Sequence, residues 1–500
     1  MMRLFLAIDL GAESGRAVLG RFGEGRLSLD ELHRFPNGSL SLNGRLHWDV
    51  YGLLSEIKKA LRACASSGAA RLESLAVDTW GVDFGLLASD GTLLGLPVSY
   101  RDLRTQGAME AFFRTVSRER VYDMTGIQFL PFNSLFQLYS LVRERSPLLA
   151  ATARVLFMPD LFQYFLTGRQ ATEYTIASTS QLLDPRTRLW REDLIGALGL
   201  APGVMLNPVA SGTVLGPLLD SIAAETGLGL TRVVVTASHD TAAAVVAVPA
   251  TDDKYAYISS GTWSCLGIEL TAPIISRASL AHNFTNEGGV EGTIRFLKNV
   301  MGLWLVQGCR KSWAKRTEYG YPELAALAEA APPFRAVIDP DASDFLNPPD
   351  MPDAVNAYLR RTGQPPLDAP GGFIRTILES LALKYRFVIE EIGRIVGRAV
   401  ERIHIIGGGS RNDLLNQLTA DATGCPVVAG PAEATSIGNI LVQLKAAGAV
   451  HTLSEMRDLV RASFPLRTYL PRPSGAWEEF YGRFLGLPGI AAGGTAEGGA

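Results

Sequence analysis

A strand, a small-residue turn and a second strand open the chain as RLFLAIDLGAESGRAVLGRF, and the same pattern returns as YAYISSGTWSCLGIEL at Tyr255. Apolar β-rich runs on either side of a glycine turn read as a hairpin. A hairpin repeated at the start of each half constrains the chain to two related lobes. Its 500 residues exceed what one hydrophobic core serves, which agrees. The PATDD segment at 249–253 is the natural break between them. We therefore expect an N-terminal domain over 1–248 and a C-terminal domain over 252–480. Residues 488–500, ending GIAAGGTAEGGA, are mostly glycine and alanine and are expected to be disordered.

Bulk composition removes several function classes. Hydrophobic content of 47% and charged content of 19% are those of an ordinary globular protein. A net charge of −3 offers no basic face for nucleic acid or an anionic membrane. Cys64, Cys265, Cys309 and Cys425 lie far apart with no CxxC pair, which argues against zinc and disulfides and fits a reducing cytoplasm. Asp9 interrupts the first apolar run too early for a signal peptide, and no run is long enough to span a bilayer. A cytoplasmic protein, a monomer or homodimer with small-molecule partners, is expected.

Between the hairpins, VDTWGVDFGLLASDGTLLG reads as further strands with a tight turn at Asp90-Gly91, and helices dominate from 104 to 166. The proline-rich stretch 331–370 predicts irregular chain. Ile374, Ile377, Leu378, Leu381, Tyr385, Val388, Ile392 and Ile395 then recur at helical spacing. RIHIIGGGSRNDLLNQL follows as a strand, a triple-glycine turn and a helix.

The first turn, Gly11-Ala12-Glu13-Ser14-Gly15-Arg16, collects amides, a hydroxyl and a guanidinium, a set suited to phosphate oxygens. Asp9 beside it can hold a hydrated Mg²⁺. A plain tight hairpin explains the same residues. Ser259 to Ser264 supplies a similar set in the second half, and the glycines at 407–409 leading to Asn412 leave room for a flat nucleoside. G-x-x-x-x-G-K-[ST] and G-x-G-x-x-G are both missing, so any nucleotide chemistry must use the hairpin turns.

In TASHDTAAAVVAV a strand ends and a helix begins at Asp240. As a helix cap, Asp240 would accept amide hydrogens and be held ionised by the dipole. As a base, it would take a proton from a substrate hydroxyl, where position outweighs basicity because phosphoryl transfer is loose. His239 and Thr241 flank it and can bind neighbouring hydroxyls. Trp80, in the Trp-Gly turn, is either a sugar platform or a core aromatic. Arg101, Asp102 and Arg104 either line the same site or form an ion-pair network.

Taken together, AIDLGAESGR, VDTWGVDFGLL, YRDLRT, FNSLFQL, ASHDTAAAV, YISSGTWSCLGIE, NFTNEGGVEGTIRFLKNVMGLWLVQ and GGGSRNDLLNQLTADATG resemble the FGGY carbohydrate kinases, from about Leu4 to Leu470. The resemblance implies an α/β, two-domain, actin-like (ribonuclease-H-like) fold with ATP and sugar in an interdomain cleft. It implies Asp240 as proton acceptor, with Gly81, His239, Thr241 and Asn299 at the sugar. ATP falls to Ala12, Glu13, Ser14, Gly15, Arg16, Thr262, Gln307 and one glycine of 407–409, for which Gly408 is our choice. The implied reaction moves the γ-phosphate of ATP, with Mg²⁺, to O1 of L-rhamnulose. Two alternatives stand beside it: a related kinase for another ketose such as fuculose or xylulose, and a non-catalytic nucleotide-dependent switch. A panel of ketoses separates the first, and sugar-independent ATP turnover would mark the second.

Overall fold

The computed structural model describes residues 2–68, 71–229, 231–472 and 474–490. Residues 491–500 of the expected tail lie outside this set. Each half is organised by one sheet, and the two sheets share a plan. In the first, Arg3–Leu10 is antiparallel to Ser14–Gly23, which is antiparallel to Arg26–Pro36. On its other side Arg3–Leu10 runs parallel to Ser74–Thr79, and that strand parallel to Arg232–Val235. In the second, Tyr255–Ser260 is antiparallel to Trp263–Leu270, itself antiparallel to Ile294–Met301. Tyr255–Ser260 also runs parallel to Arg402–Ile406, and that strand parallel to Val427–Ala429. The repeat read from the two hairpins is thus a repeat of five-strand topology.

Strand alternation assigns the faces. Leu6, Ile8 and Leu10 pack outward with Ile57 and Leu61 of the Val50–Ser66 helix, whereas Phe5 and Ala7 point to the other side. In the second sheet Ile258, Ile403 and Ile405 join an outer core with the Pro370–Val396 helix, while Tyr255 and Tyr257 face inward. The inner faces meet across Asp240–Val246 and Ala434–Ala446, two helices sandwiched between the sheets.

The predicted long helix is present as Pro370–Val396. Irregular chain covers most of 331–350, but Met351–Arg361 is helical despite its proline, because Pro352 occupies the first turn, where no amide donor is required. Among the described residues, no helix is long and apolar enough to cross a membrane.

Candidate active site

Both hairpin turns open onto one cavity of about 600 Å³, within the range of small-molecule sites. Each turn is closed by its glycine: Gly11 N–H donates to Ser14 O at 3.0 Å and Gly261 N–H to Trp263 O at 2.9 Å. The glycine run forms a third wall. Gly407 has φ +79°, and a Cβ on Gly409 would fall 2.0 Å from Ser260 Oγ, so both are needed for close packing on the second hairpin. Gly408 has open space beside it and lines the cavity. Asn412 turns away and caps the next helix through Leu415 N at 3.0 Å.

Asp240 is the first residue of its helix, with His239 as the N-cap. Its Oδ1 accepts from Thr241 N at 2.5 Å and from Thr241 Oγ1 at 3.1 Å, and His239 Nε2 stands 3.3 Å away. Among the described residues, Oδ2 accepts no hydrogen bond and is left to the cavity, where the side chain keeps 30% exposure. The dipole argument alone predicts a low carboxyl pKa. Burial wins instead: it pushes Asp240 above its ordinary value, with the Asp9 charge adding to it and His239 and Thr241 opposing.

Around Asp240 the cavity wall is polar and held from behind. His239 Nδ1 lies 3.1 Å from Nη2 of the fully buried Arg295, which also donates to Glu287 Oε2 at 3.0 Å. Burial would raise Glu287, but the charge of Arg295 opposes it and the carboxyl is held below its usual range. Asn299 donates through N and Nδ2 to Gln128 Oε1, at 3.0 and 3.1 Å.

Trp80 is a core aromatic that also reaches the cavity wall. It is 5% exposed and packs on Trp48 at 4.1 Å between ring centroids, yet its edge lines the cavity. Buried Asp83 fixes it, accepting from Trp80 and Trp48 Nε1 at 3.0 and 2.6 Å. Beside it a Cβ on Gly81 would meet Thr179 at 3.3 Å and His239 Nε2 at 3.4 Å. Val82 takes φ +68°, a conformation that strains a β-branched residue, and its carbonyl is held by Ser134 Oγ at 2.6 Å.

At the other end, Arg16 donates to Asp9 Oδ2 at 2.9 and 2.7 Å and pairs with Glu433, which also takes Arg411 at 2.7 Å. Burial would lower the Arg16 pKa, but Asp9 and Glu433 hold it above its usual value. Asp78, fully buried behind Asp9, is raised well above the ordinary range by burial and by the Asp9 charge. Gln307 Oε1 is buried with no partner among the described residues.

The structure brings Ala12, Glu13, Ser14, Arg16, Gly81, His239, Asp240, Thr241, Thr262, Asn299, Gln307 and Gly408 to this one cavity. Gly15 and Asp9 do not line it. Gly15 faces the interior, where a Cβ would sit 2.3 Å from the Phe35 ring. Asp9 is directly opposed to Arg16 across the hairpin and lies beneath it, 5% exposed. Arg101 reaches the wall and stands 3.5 Å from Glu13, whereas Asp102 caps a turn and Arg104 binds Gln137 at 2.6 Å. Gln128, Thr179, Ser260 and Glu287 also line the cavity, and sequence reading had named none of them for the sugar. The quoted NEGGVEG segment contained Glu287, and only the fold links it to His239.

The pattern of the N-terminal domain of the FGGY family of carbohydrate kinases matches residues 4–247, and that of the C-terminal domain matches residues 256–447. The chain belongs to the FGGY family of carbohydrate kinases. It is 49% identical over 484 residues to a rhamnulokinase of Bacteroides thetaiotaomicron, covering 97% of this chain and 99% of that one. A rhamnulokinase of Enterococcus faecalis is 41% identical over 474 residues, covering 94% and 95%. Among solved structures, a gluconate kinase from Lactobacillus acidophilus superposes with a TM-score of 0.82 at 15% identity, covering 98% and 99%. A xylulose kinase from the same organism gives 0.79 at 15%, covering 96% and 97%. These two likenesses concern the fold. As a family member the chain is a phosphotransferase with an alcohol acceptor, and ATP is its phosphoryl donor.

Proposed function

We propose that the chain phosphorylates L-rhamnulose at O1, with residues 1–248 and 252–480 as the two kinase domains closing on sugar and nucleotide. The observation that carries this reading is Asp240 Oδ2, a carboxylate oxygen with no described protein donor, at a cavity walled by both hairpin turns. Asp240 takes the proton of the sugar's terminal hydroxyl while that oxygen attacks the γ-phosphorus. Oδ1 stays with Thr241, so the base does not rotate as the proton arrives. His239, Thr241, Gly81 and Asn299 hold the sugar. Ala12, Glu13, Ser14, Arg16 and Thr262 hold the phosphates, with Gln307 and Gly408 toward the nucleoside. The full-length likeness to rhamnulokinases favours L-rhamnulose over other ketoses.

Asp9 would hold a Mg²⁺ ion only through one of the ion's waters, because it lies beneath Arg16 and does not line the cavity, with Oδ2 held by Arg16 and by Ser436 at 3.1 Å and Oδ1 accepting no hydrogen bond among the described residues. Such an ion keeps most of its waters and needs only one or two carboxylate oxygens from protein. When bound with ATP it neutralises charge on the phosphates.

Product analysis after incubation with ATP, Mg²⁺ and L-rhamnulose tests the reading: the 1-phosphate is expected. ADP release that ignores the presence of sugar would refute it. Two narrower results follow from the geometry. Gly81→Ala narrows the gap to His239 and is expected to raise the ketose KM about tenfold while the KM for ATP stays put, as for a lost ground-state contact. Asp240 acts only when ionised, and burial raises its pKa. So kcat/KM is expected to fall as pH drops, through an apparent pKa above the roughly 3.9 of an ordinary aspartate, and a profile level down to that value would contradict the assignment.

A further inference from the structure

The Glu287–Arg295 pair has no part in the reaction as described, yet it touches the residue beside the base. Arg295 is 0% exposed, its Nε donates to Gly288 O at 2.9 Å, and Nη2 is shared between Glu287 Oε2 and His239 Nδ1, at 3.0 and 3.1 Å. Glu287 Oε2 itself lies farther from Nδ1, at 3.5 Å. An arginine nitrogen only donates, so Nδ1 must accept and the ring proton belongs on Nε2. With the proton on Nδ1, its hydrogen would face that of Arg295 Nη2 at a nitrogen-to-nitrogen distance of 3.1 Å. Nε2 is the nitrogen turned to the cavity: it stands 3.3 Å from Asp240 Oδ1 and is the atom a side chain at position 81 would meet.

We propose that Arg295 is a positioning residue that fixes His239 in the Nε2–H form, so that the imidazole presents a donor, beside the Asp240 carboxylate, to an acceptor oxygen of the bound sugar. The proposal rests on the reading of Asp240 as base and of His239 as a sugar contact. It explains why a charged pair of the second half is buried against a histidine of the first. Glu287 neutralises the guanidinium, and the guanidinium sets the ring. It also defines what the pocket selects at this point, namely an oxygen with a free lone pair.

The test uses the full chain labelled with ¹⁵N in its six histidines, with His239 assigned by the signals missing from His239→Gln. Long-range ¹⁵N–¹H correlations on the protein without substrate are expected to show a bare Nδ1 and a protonated Nε2 for His239. Arg295→Lys keeps a charge beside Glu287 but lacks the fork that serves two partners. It is expected to mix the two ring forms and to raise the ketose KM by about tenfold, with the KM for ATP unchanged. A wild-type ring protonated on Nδ1, or on both nitrogens, overturns the proposal. So does an Arg295→Lys protein with unaltered ring signals and KM. Should that variant fail to fold, the wild-type spectrum decides alone. The ring measurement needs no turnover, so a chain that phosphorylates no ketose would sink the functional reading without touching this result.

Discussion

Asp240→Asn is expected to lower kcat by at least ~10³, about 4 kcal/mol of barrier, while the protein still folds and binds ATP. The exchange is nearly isosteric. The asparagine oxygen can keep both Thr241 donors, now at 2.5 and 3.1 Å from Oδ1, but no atom of the amide can take a proton. Stability should move the other way. Burial and the Asp9 charge raise the Asp240 carboxyl above its ordinary pKa, so its ionised form costs the folded state free energy at neutral pH. Removing that charge should leave the melting temperature unchanged or higher. Loss of turnover together with loss of stability would point to a structural role, and near-normal turnover would remove Asp240 from the mechanism. Steady-state kinetics and a thermal melt on the same preparation separate the three outcomes.

Gly438→Ala is expected to be the most damaging change far from substrate, at about 3 kcal/mol of stability. Gly438 lies where Ala434–Ala446 crosses Asp240–Val246, and a Cβ there would fall 1.7 Å from Ala243 O. The obstacle is backbone, so no rotamer change relieves it. The helices must separate, and the one that moves carries Asp240 at its tip. Ala243 N–H donates to His239 O at 2.9 Å, so the shift also reaches the histidine. A lower urea midpoint and a reduced kcat should therefore appear together. Unchanged values of both would mean that the two helices slide apart freely, contrary to their dense packing.

The parts of this molecule that could be read from sequence are those in which local chain dictates local chemistry. Asp240 is marked by the change from strand to helix, and the two turns by glycine between apolar runs. Register explains the misplacements. Asp9 pairs with Arg16 and Leu10 with Gly15 across the first hairpin, so the guanidinium covers the carboxylate and the glycine faces Phe35. Neither fact is visible in a run of letters. Gln128, Thr179 and Glu287 come from segments far apart in the chain and meet only in the fold. Val82 gave no signal either, because valine is the last residue that sequence reasoning would place at positive φ.

The helices Ala434–Ala446 and Leu453–Ser463 belong to the second half in sequence but help cover the first sheet. Gln443 Nε2 donates to Leu6 O at 3.0 Å, Ser463 Oγ accepts from Leu27 N at 2.9 Å, and Ile440 packs on Gly20. This has a consequence in time as the chain is synthesised. The earliest strands to leave the ribosome remain uncovered on part of one side until nearly the last residues have emerged, so the nascent N-terminal portion must wait with apolar surface showing. A stop codon anywhere before residue 434 would leave that vulnerable intermediate as the final product.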